Sequence, residues 1–461
     1  MSAHAHPTRP DTGILPQRIT ALLQSERARY EQEHPRSRFL AAQAAEHMMF
    51  GVPLHWMNDW STPFPLHVAR AQGAQLVDAD GHTLVDFCLG DTGAMFGHSP
   101  APVVTALQRQ ASQGLTTMLV SEDAAVVAGL LSERFGLPQW QFAMTATDAN
   151  RFVLRWLRAA TGRPVLLVFN GCYHGTVDDV FVDLIDGRPV QRPSLLGQVQ
   201  NLLSTTRVVE FNDLAALETA LAPGDVACVL AEPVMTNIGM VMPEPGFWSE
   251  AQKLIRRQGS LLVMDETHTL SSGPGGYARA HDIQADAVVV GKALGGGMPC
   301  AAYGFTAELA ARAQGAKNAA APGHSGIGTT LTANALAMAA MRATLEHLIT
   351  PGVFAPMHDR ARRLAGFLQA LFARHGLQWC VTQVGARTEF QFCPVPPRNG
   401  TQAGAAMDAE LEHALHLYLL NRGLLITPFH NMMLICPDTT DADVDLLVAA
   451  MDAALTQLCA G

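Results

Sequence analysis

Residues 287–299 read AVVVGKALGGGMP. A continuous apolar, β-branched run is the pattern of a strand buried on both faces. This one delivers a lysine, Lys292, at its end and follows it with a run of glycines from 295 to 297. Of the 31 Lys and Arg residues three are lysines, and Lys253 in EAQKLIRRQ and Lys317 in AQGAKNAAA have surface-like neighbours. Lys292 does not. An amine held in a poorly hydrated place gains nucleophilicity, and the glycines let the backbone come close to a bulky group. Taken alone, the stretch also fits a structural lysine.

Outward from this strand the pattern recurs. PVLLVFN from 164, DVACVLAEPV from 225 and SLLVMDE from 260 are further apolar runs separated by helix-like segments. They predict an α/β fold with a mostly parallel central sheet in a large domain over residues 71–345. From about 346 a helix, short strands and two more helices read as a smaller C-terminal α+β domain over 346–461. Residues 1–70, which end in the aromatic segment FGVPLHWMNDWSTPFPL, read as an N-terminal arm that packs with it.

The composition of the 461 residues, 48% hydrophobic and 16% charged, is that of a globular protein. A net charge of −10 leaves no basic surplus for the phosphates of nucleic acid or of an anionic membrane. The eight cysteines form no CxxC pair, the start MSAHAHPTRPDTG has no apolar core behind a basic segment, and no 18-residue apolar run occurs. The expectation is a soluble cytoplasmic protein with reduced thiols and neither a membrane nor a nucleic-acid partner.

Three more stretches bear on Lys292. In FAMTATDANRFVLRWLRAATGR, Thr147 is a good N-cap, and Ala149, Val153, Trp156 and Ala160 recur on one face of the helix that would follow. Thr145 and Thr147 at such a helix start make an anion site suited to a phosphate, although a plain capped helix fits too. In FNGCYHGTVDD, Gly171 and Gly175 bracket Tyr173 and His174 just past a strand. That places a ring where open α/β sheets bind flat ligands, or a half-buried Tyr in an ordinary turn. In SLLVMDETHTLSSGPGGY, Asp265 and Glu266 end a strand, and a carboxylate delivered there needs a cation or donors. His268 alone does not complete a metal ligand set, so no metal is expected. Nor does the chain contain a GxxxxGK[ST] or GxGxxG loop for a nucleotide.

A lysine for a Schiff base, a carboxylate for a ring nitrogen, an aromatic ring for a flat face and a helix start for a phosphate are together the needs of pyridoxal 5′-phosphate. The stretches VLAEPVMTNIGMVMPEPGFW, MDETHT, GKALGGGMPCAAYGF and GTTLTANALAMAA resemble the motifs of the class III aminotransferases, pyridoxal-phosphate enzymes of fold type I, and especially the branch containing glutamate-1-semialdehyde aminomutase. The resemblance runs from about Ala71 to the C-terminus. It implies that Lys292 carries the Schiff base and Asp265 pairs with the pyridinium nitrogen. Thr145, Ala146 and Thr147 fall on the phosphate loop, Tyr173 on the stacking aromatic with His174 beside it, Glu232 on an active-site acid and His268 near the phenolic oxygen. Thr330 matches a threonine that reaches the phosphate from the other subunit, which implies a homodimer with shared sites.

The departures are specific. Where the family usually shows Ser-Gly-Thr-Glu, this chain has Thr145-Ala146-Thr147-Asp148 and loses a glycine's freedom. His268 stands where many members have Gln. The aminomutase's N-terminal motif with its carboxylate-binding arginine is not recognisable in 50–66, which argues against glutamate semialdehyde as substrate. Trp56 and Trp60 suggest an aromatic wall for the substrate, and Arg387 in GARTEFQF is a candidate clamp for a carboxylate. The resulting expectation is an aminotransferase acting between an amine or amino acid, with an aromatic or hydrophobic or a β- or ω-amino compound as candidates, and a keto acid acceptor. An aminomutase, racemase or lyase on the same cofactor is the alternative, and a non-catalytic binding protein the distant one.

Overall fold

The structure, a computed structural model, describes residues 10–460. Residues 1–9, which open the expected N-terminal arm, lie outside the described residues. The chain divides into two compact units. One comprises Met1–Pro100, Ala355–Pro396 and Ala405–Gly461, the other Ala101–Phe354 and Pro397–Gly404.

In the second unit the central sheet contains, in chain order, β1 (Gln139–Ala143), β2 (Val165–Phe169), β3 (Thr206–Val209), β4 (Val226–Ala231), β5 (Leu261–Asp265), β6 (Ala287–Val290) and β7 (Ala301–Phe305). Their spatial order is β1-β7-β6-β5-β4-β2-β3. Strands β3, β2, β4, β5 and β6 are joined by parallel pairs. Strand β7 runs antiparallel to both β6 and β1, so β1 points the same way as the other five. Every residue of β2, β4, β5, β6 and β7 is buried. A strand with no exposed residue is covered on both faces, which is why these runs lack polar alternation. The helix Ala146–Thr161 places Ala149, Val153 and Leu157 in the same core as Leu230, Val263 and Val289.

The first unit is α+β. Val68–Gln72, Gln75–Asp78 and Thr83–Asp86 form an antiparallel meander, and Leu424–Leu425 adds in parallel to its last strand. Cys380–Val384, Arg387–Gln391 and Met432–Leu434 form a separate antiparallel sheet. The helix Pro16–Glu33 packs on Ala409–Leu420. Glu26 anchors it, accepting from Asn421 Nδ2 at 2.7 Å and pairing with Arg422 at 2.9 Å.

These units do not divide where the sequence suggested. Residues 71–100 group with the C-terminal part because a strand from beyond residue 420 completes their sheet. Residues 397–404 belong to the large-sheet unit, where Asn170 Nδ2 donates to Thr401 Oγ1 at 3.0 Å.

Candidate active site

The parallel strands β1, β2, β4, β5 and β6 end at the same edge of the sheet, and a candidate cofactor residue follows each of those ends. The chain leaves β1 into the helix Ala146–Thr161, reaches Tyr173 and His174 after β2 and Glu232 after β4, closes β5 with Asp265 and reaches Lys292 just past β6.

Asp265 is buried among donors. Its Oδ2 accepts from Asn150 Nδ2 at 2.8 Å and from His174 Nδ1 at 3.0 Å. Its Oδ1 accepts from the Thr267 amide at 3.1 Å and the Thr267 hydroxyl at 2.6 Å. Burial pushes the carboxyl upward, but His174, Thr267 and Asn150 together hold it below the ordinary carboxylate range. Burial lowers the pKa of His174, and its bond to Asp265 more than reverses this, to about 10. The result is a buried imidazolium–carboxylate pair whose His174 Nε2 has no hydrogen-bond partner in the protein. The adjacent acid is used differently. Glu266 accepts from the Tyr277 amide at 2.9 Å, the Ala278 amide at 2.6 Å and the Thr269 hydroxyl, and burial raises its pKa to about 7. Glu266 therefore holds the following turn, and Asp265 is the acid left for the site.

Lys292 adopts φ +42°, a left-handed conformation that costs a non-glycine residue about 1–2 kcal/mol. Its Nζ lies 2.6 Å from His268 Nε2. Two glycines draw the pieces together. A Cβ on Gly291 would stand 2.9 Å from the Ala146 methyl, so the lysine turn touches the helix start. A Cβ on Gly175, at φ +80°, would overlap Thr147 Oγ1 at 2.1 Å, which puts the Tyr173–His174 loop against the same first turn. The Thr176 amide donates to Thr147 Oγ1 there at 3.2 Å.

Several expectations change in detail. The N-cap is Thr145, whose hydroxyl accepts from the Asp148 amide at 3.1 Å, and Thr147 sits inside the first turn. The amides of Ala146 and Thr147 then have no intrahelical acceptor, as at any helix start. Ala146 is not at positive φ, so this loop needs no glycine, and Gly291 makes room for its methyl. The glycines after Lys292 serve packing of the protein itself: a Cβ on Gly295 would meet Cys300 Sγ at 2.6 Å, and one on Gly296 would meet Val103 at 2.7 Å.

Glu232 is buried, accepting from Asn237 Nδ2 at 2.9 Å and from the Thr236 hydroxyl, and burial raises its pKa. Tyr173 is 40% exposed, which leaves a ring surface open. Thr330 is exposed in the loop before the helix Ala335–His347. The candidate substrate residues all lie in the other unit. There Trp56 meets Phe429 edge-on at 5.9 Å, and Trp60 is half-buried. Arg387 is fully buried, with Nη2 on the Thr92 hydroxyl. Asn150 and Thr267 were not singled out from the sequence. A buried Asn on the apolar face of a helix was the signal for the first, and the second follows its acid by two residues.

The family profile described as Aminotransferase class-III matches residues 56–455. The chain belongs to the class-III aminotransferase family. Its relatives place it on the branch of that family named for glutamate-1-semialdehyde aminomutase. The glutamate-1-semialdehyde 2,1-aminomutase of Desulfosudis oleivorans is 32% identical over 403 residues, 86% of this chain and 92% of that protein. A crystal structure of a glutamate-1-semialdehyde-aminomutase from Pseudomonas aeruginosa PAO1 superposes with TM-score 0.95 at 46% identity, covering 97% of this chain and all of that one. A variant of that protein was solved in complex with PMP. The β-phenylalanine aminotransferase of Variovorax paradoxus superposes with TM-score 0.84 at 29% identity, over 94% of this chain and 97% of that one. The architecture is that of the fold type I pyridoxal-phosphate enzymes. The donor set fits that cofactor: an anionic carboxylate, a lysine amine and a helix start whose Ala146 and Thr147 amides have no intrahelical acceptor meet at one sheet edge.

Proposed function

We propose that this enzyme uses pyridoxal phosphate to shift an amino group within a single substrate, as an aminomutase does. The observation that carries the reading is the aminomutase relative that aligns at 46% identity along almost the whole chain, against 29% for the aminotransferase. The transfer between an amine and a keto acid expected from the sequence becomes the second reading. It is favoured by the exposed edge of Trp56, an apolar wall that an amino aldehyde does not need.

When bound, the cofactor supplies an electron sink for a C–H bond next to its nitrogen. Lys292 Nζ is the amine that would hold the cofactor through its carbonyl, and the same amine would carry the proton from and back to the substrate carbon. His268, 2.6 Å away, orients that amine. Asp265, kept anionic by its donors, holds a proton on the ring nitrogen. Thr145, Ala146 and Thr147 would bind the phosphate at the helix start, Tyr173 would cover a ring face, and Glu232 would add a buried acid to the site.

The test is turnover of single amino compounds with no acceptor present, beginning with glutamate-1-semialdehyde and then a short amino aldehyde without a carboxylate. The expected result is an isomer accumulating well beyond one equivalent per site. Carbonyl product that stops at one equivalent and resumes when a keto acid is added would establish the transaminase instead.

By the family resemblance Thr330 would reach the phosphate in a second copy's site, so the proposed working form is a homodimer. Its surroundings support this: Leu115, Met118, Leu119, Val120 and Leu331 are all exposed, and the Ala335 amide ties the two segments by donating to Leu115 O at 3.0 Å. Light scattering on the eluting holoenzyme should return twice the chain mass; a monomer mass would withdraw the shared site. Among the described residues no helix is long and apolar enough to cross a membrane.

A further inference from the structure

In the unit that contains neither Lys292 nor Asp265, the side chains of His34, Asp78 and His82 converge. One ligand-type atom from each lies within 4.8 Å of the others, and this is the one such group of His, Cys, Asp or Glu among the described residues. His34 is the corner between the helices Pro16–Glu33 and Pro35–Ala45. Asp78 closes the strand Gln75–Asp78, and His82 precedes the strand Thr83–Asp86. From these positions we infer a binding site for a zinc-type divalent cation.

The argument turns on which atoms carry protons. His34 Nδ1 is 2.9 Å from the Tyr30 carbonyl, which can only accept, so Nδ1 bears the hydrogen. His34 Nε2 is then the ring nitrogen turned toward Asp78 Oδ2, at 3.4 Å. That oxygen also meets His82 Nδ1 at 2.8 Å. The 3.4 Å separation is close to the ligand–ligand edge, about 3.3–3.4 Å, of a tetrahedron built on metal bonds of about 2.0–2.1 Å, while the 2.8 Å contact of His82 is a hydrogen bond that an arriving ion replaces. A carbonyl that fixes the far nitrogen of a ligating imidazole is also the usual second contact of a metal-bound histidine.

The ligands are held before any ion arrives. Asp78 Oδ1 accepts from the amides of Asp80 at 2.9 Å and His82 at 2.8 Å, which locks the carboxylate in the turn. Asp80 in turn accepts from the amides of Arg36 at 2.6 Å and Ser37 at 2.9 Å, which bolts that turn to the helix beginning at Pro35. His34 and Asp78 are buried, while the His82 side chain is 44% exposed and leaves the fourth position open to water. Two imidazoles and one carboxylate with an open position suit zinc better than a hard cation such as magnesium or calcium. The spacing of these three residues matches no familiar metal motif, so the site is not visible in the sequence alone.

The experiment is equilibrium dialysis of chelator-treated holoenzyme against zinc, with metal analysis of the wild type, His82→Ala and His34→Gln. Visible absorbance of the bound cofactor shows that each variant is folded. The expected result is one more zinc per chain in wild type than in His82→Ala, and a melting temperature that rises with zinc in wild type alone. Equal uptake by wild type and His82→Ala, or no uptake by either, overturns the site. If His34→Gln fails to fold, His82→Ala decides alone, since the His82 side chain is 44% exposed and its ring contacts are those within the proposed site.

Discussion

Lys292→Ala is expected to reduce turnover at least about a thousandfold while leaving the fold intact, because one side chain supplies both the covalent tether and the proton carrier. The structural cost is small. Alanine bears the same strain at φ +42°, and the lost bond to His268 is one contact, worth about 1 kcal/mol. Rates with the substrate found in the single-amine screen, beside melting curves, separate the two effects. Added methylamine should restore part of the rate, since a free amine that enters the vacated space can carry the proton; a structural lysine would show no such rescue. The control is Lys253→Ala, on an exposed helix face paired with Glu250 at 2.7 Å, which should behave as wild type. Residual Lys292→Ala activity within tenfold of wild type would remove the lysine from the mechanism.

How much of this was legible in the sequence depended on the range of the interactions. The strands β2, β4, β5 and β6 were readable because burial on both faces leaves an unbroken apolar run, a local signal. Placing Lys292 and Asp265 at strand ends followed from the same runs. The choice of N-cap did not: Thr145 and Thr147 are chemically alike, and only the chain's path out of β1 selects the first. The unit boundaries were hidden for a different reason, since Leu424–Leu425 joins a sheet begun near residue 68 and no local pattern announces so distant a pairing. Arg387 is a clamp candidate because arginine forks onto carboxylates; that its strand is buried throughout is something its sequence ARTEFQF does not display. Glycine was misleading in its target: the run at 295–297 promised room for a ligand, and two of its members make room for Cys300 and Val103.

Asp265→Asn should cost both catalysis and stability, and its pH dependence distinguishes this site from an ordinary buried acid. The substitution keeps the shape but removes the charge that holds a proton on the ring nitrogen, so turnover should fall by at least about a hundredfold. It also turns an NH₂ group toward donors from Asn150, His174 and Thr267, and deprives His174 of the main cause of its raised pKa. Losing one partner of a buried pair costs about 3–5 kcal/mol. In wild type, the stability that His174 supplies is fully present below its ordinary value of 6.5 and is lost as pH rises toward about 10. The share from Asp265, whose pKa is lowered, is fully present above its ordinary 3.8 and is lost as pH falls below that. The melting-temperature gap between wild type and Asp265→Asn should therefore be widest from about pH 4 to 6.5 and narrow toward pH 10. Adding His174→Asn to Asp265→Asn should recover part of the stability, because no charge is then stranded, but none of the turnover. A gap that stays flat with pH would mean that the two residues are not an ion pair, and a double variant with restored turnover would mean that Asp265 does not act on the cofactor.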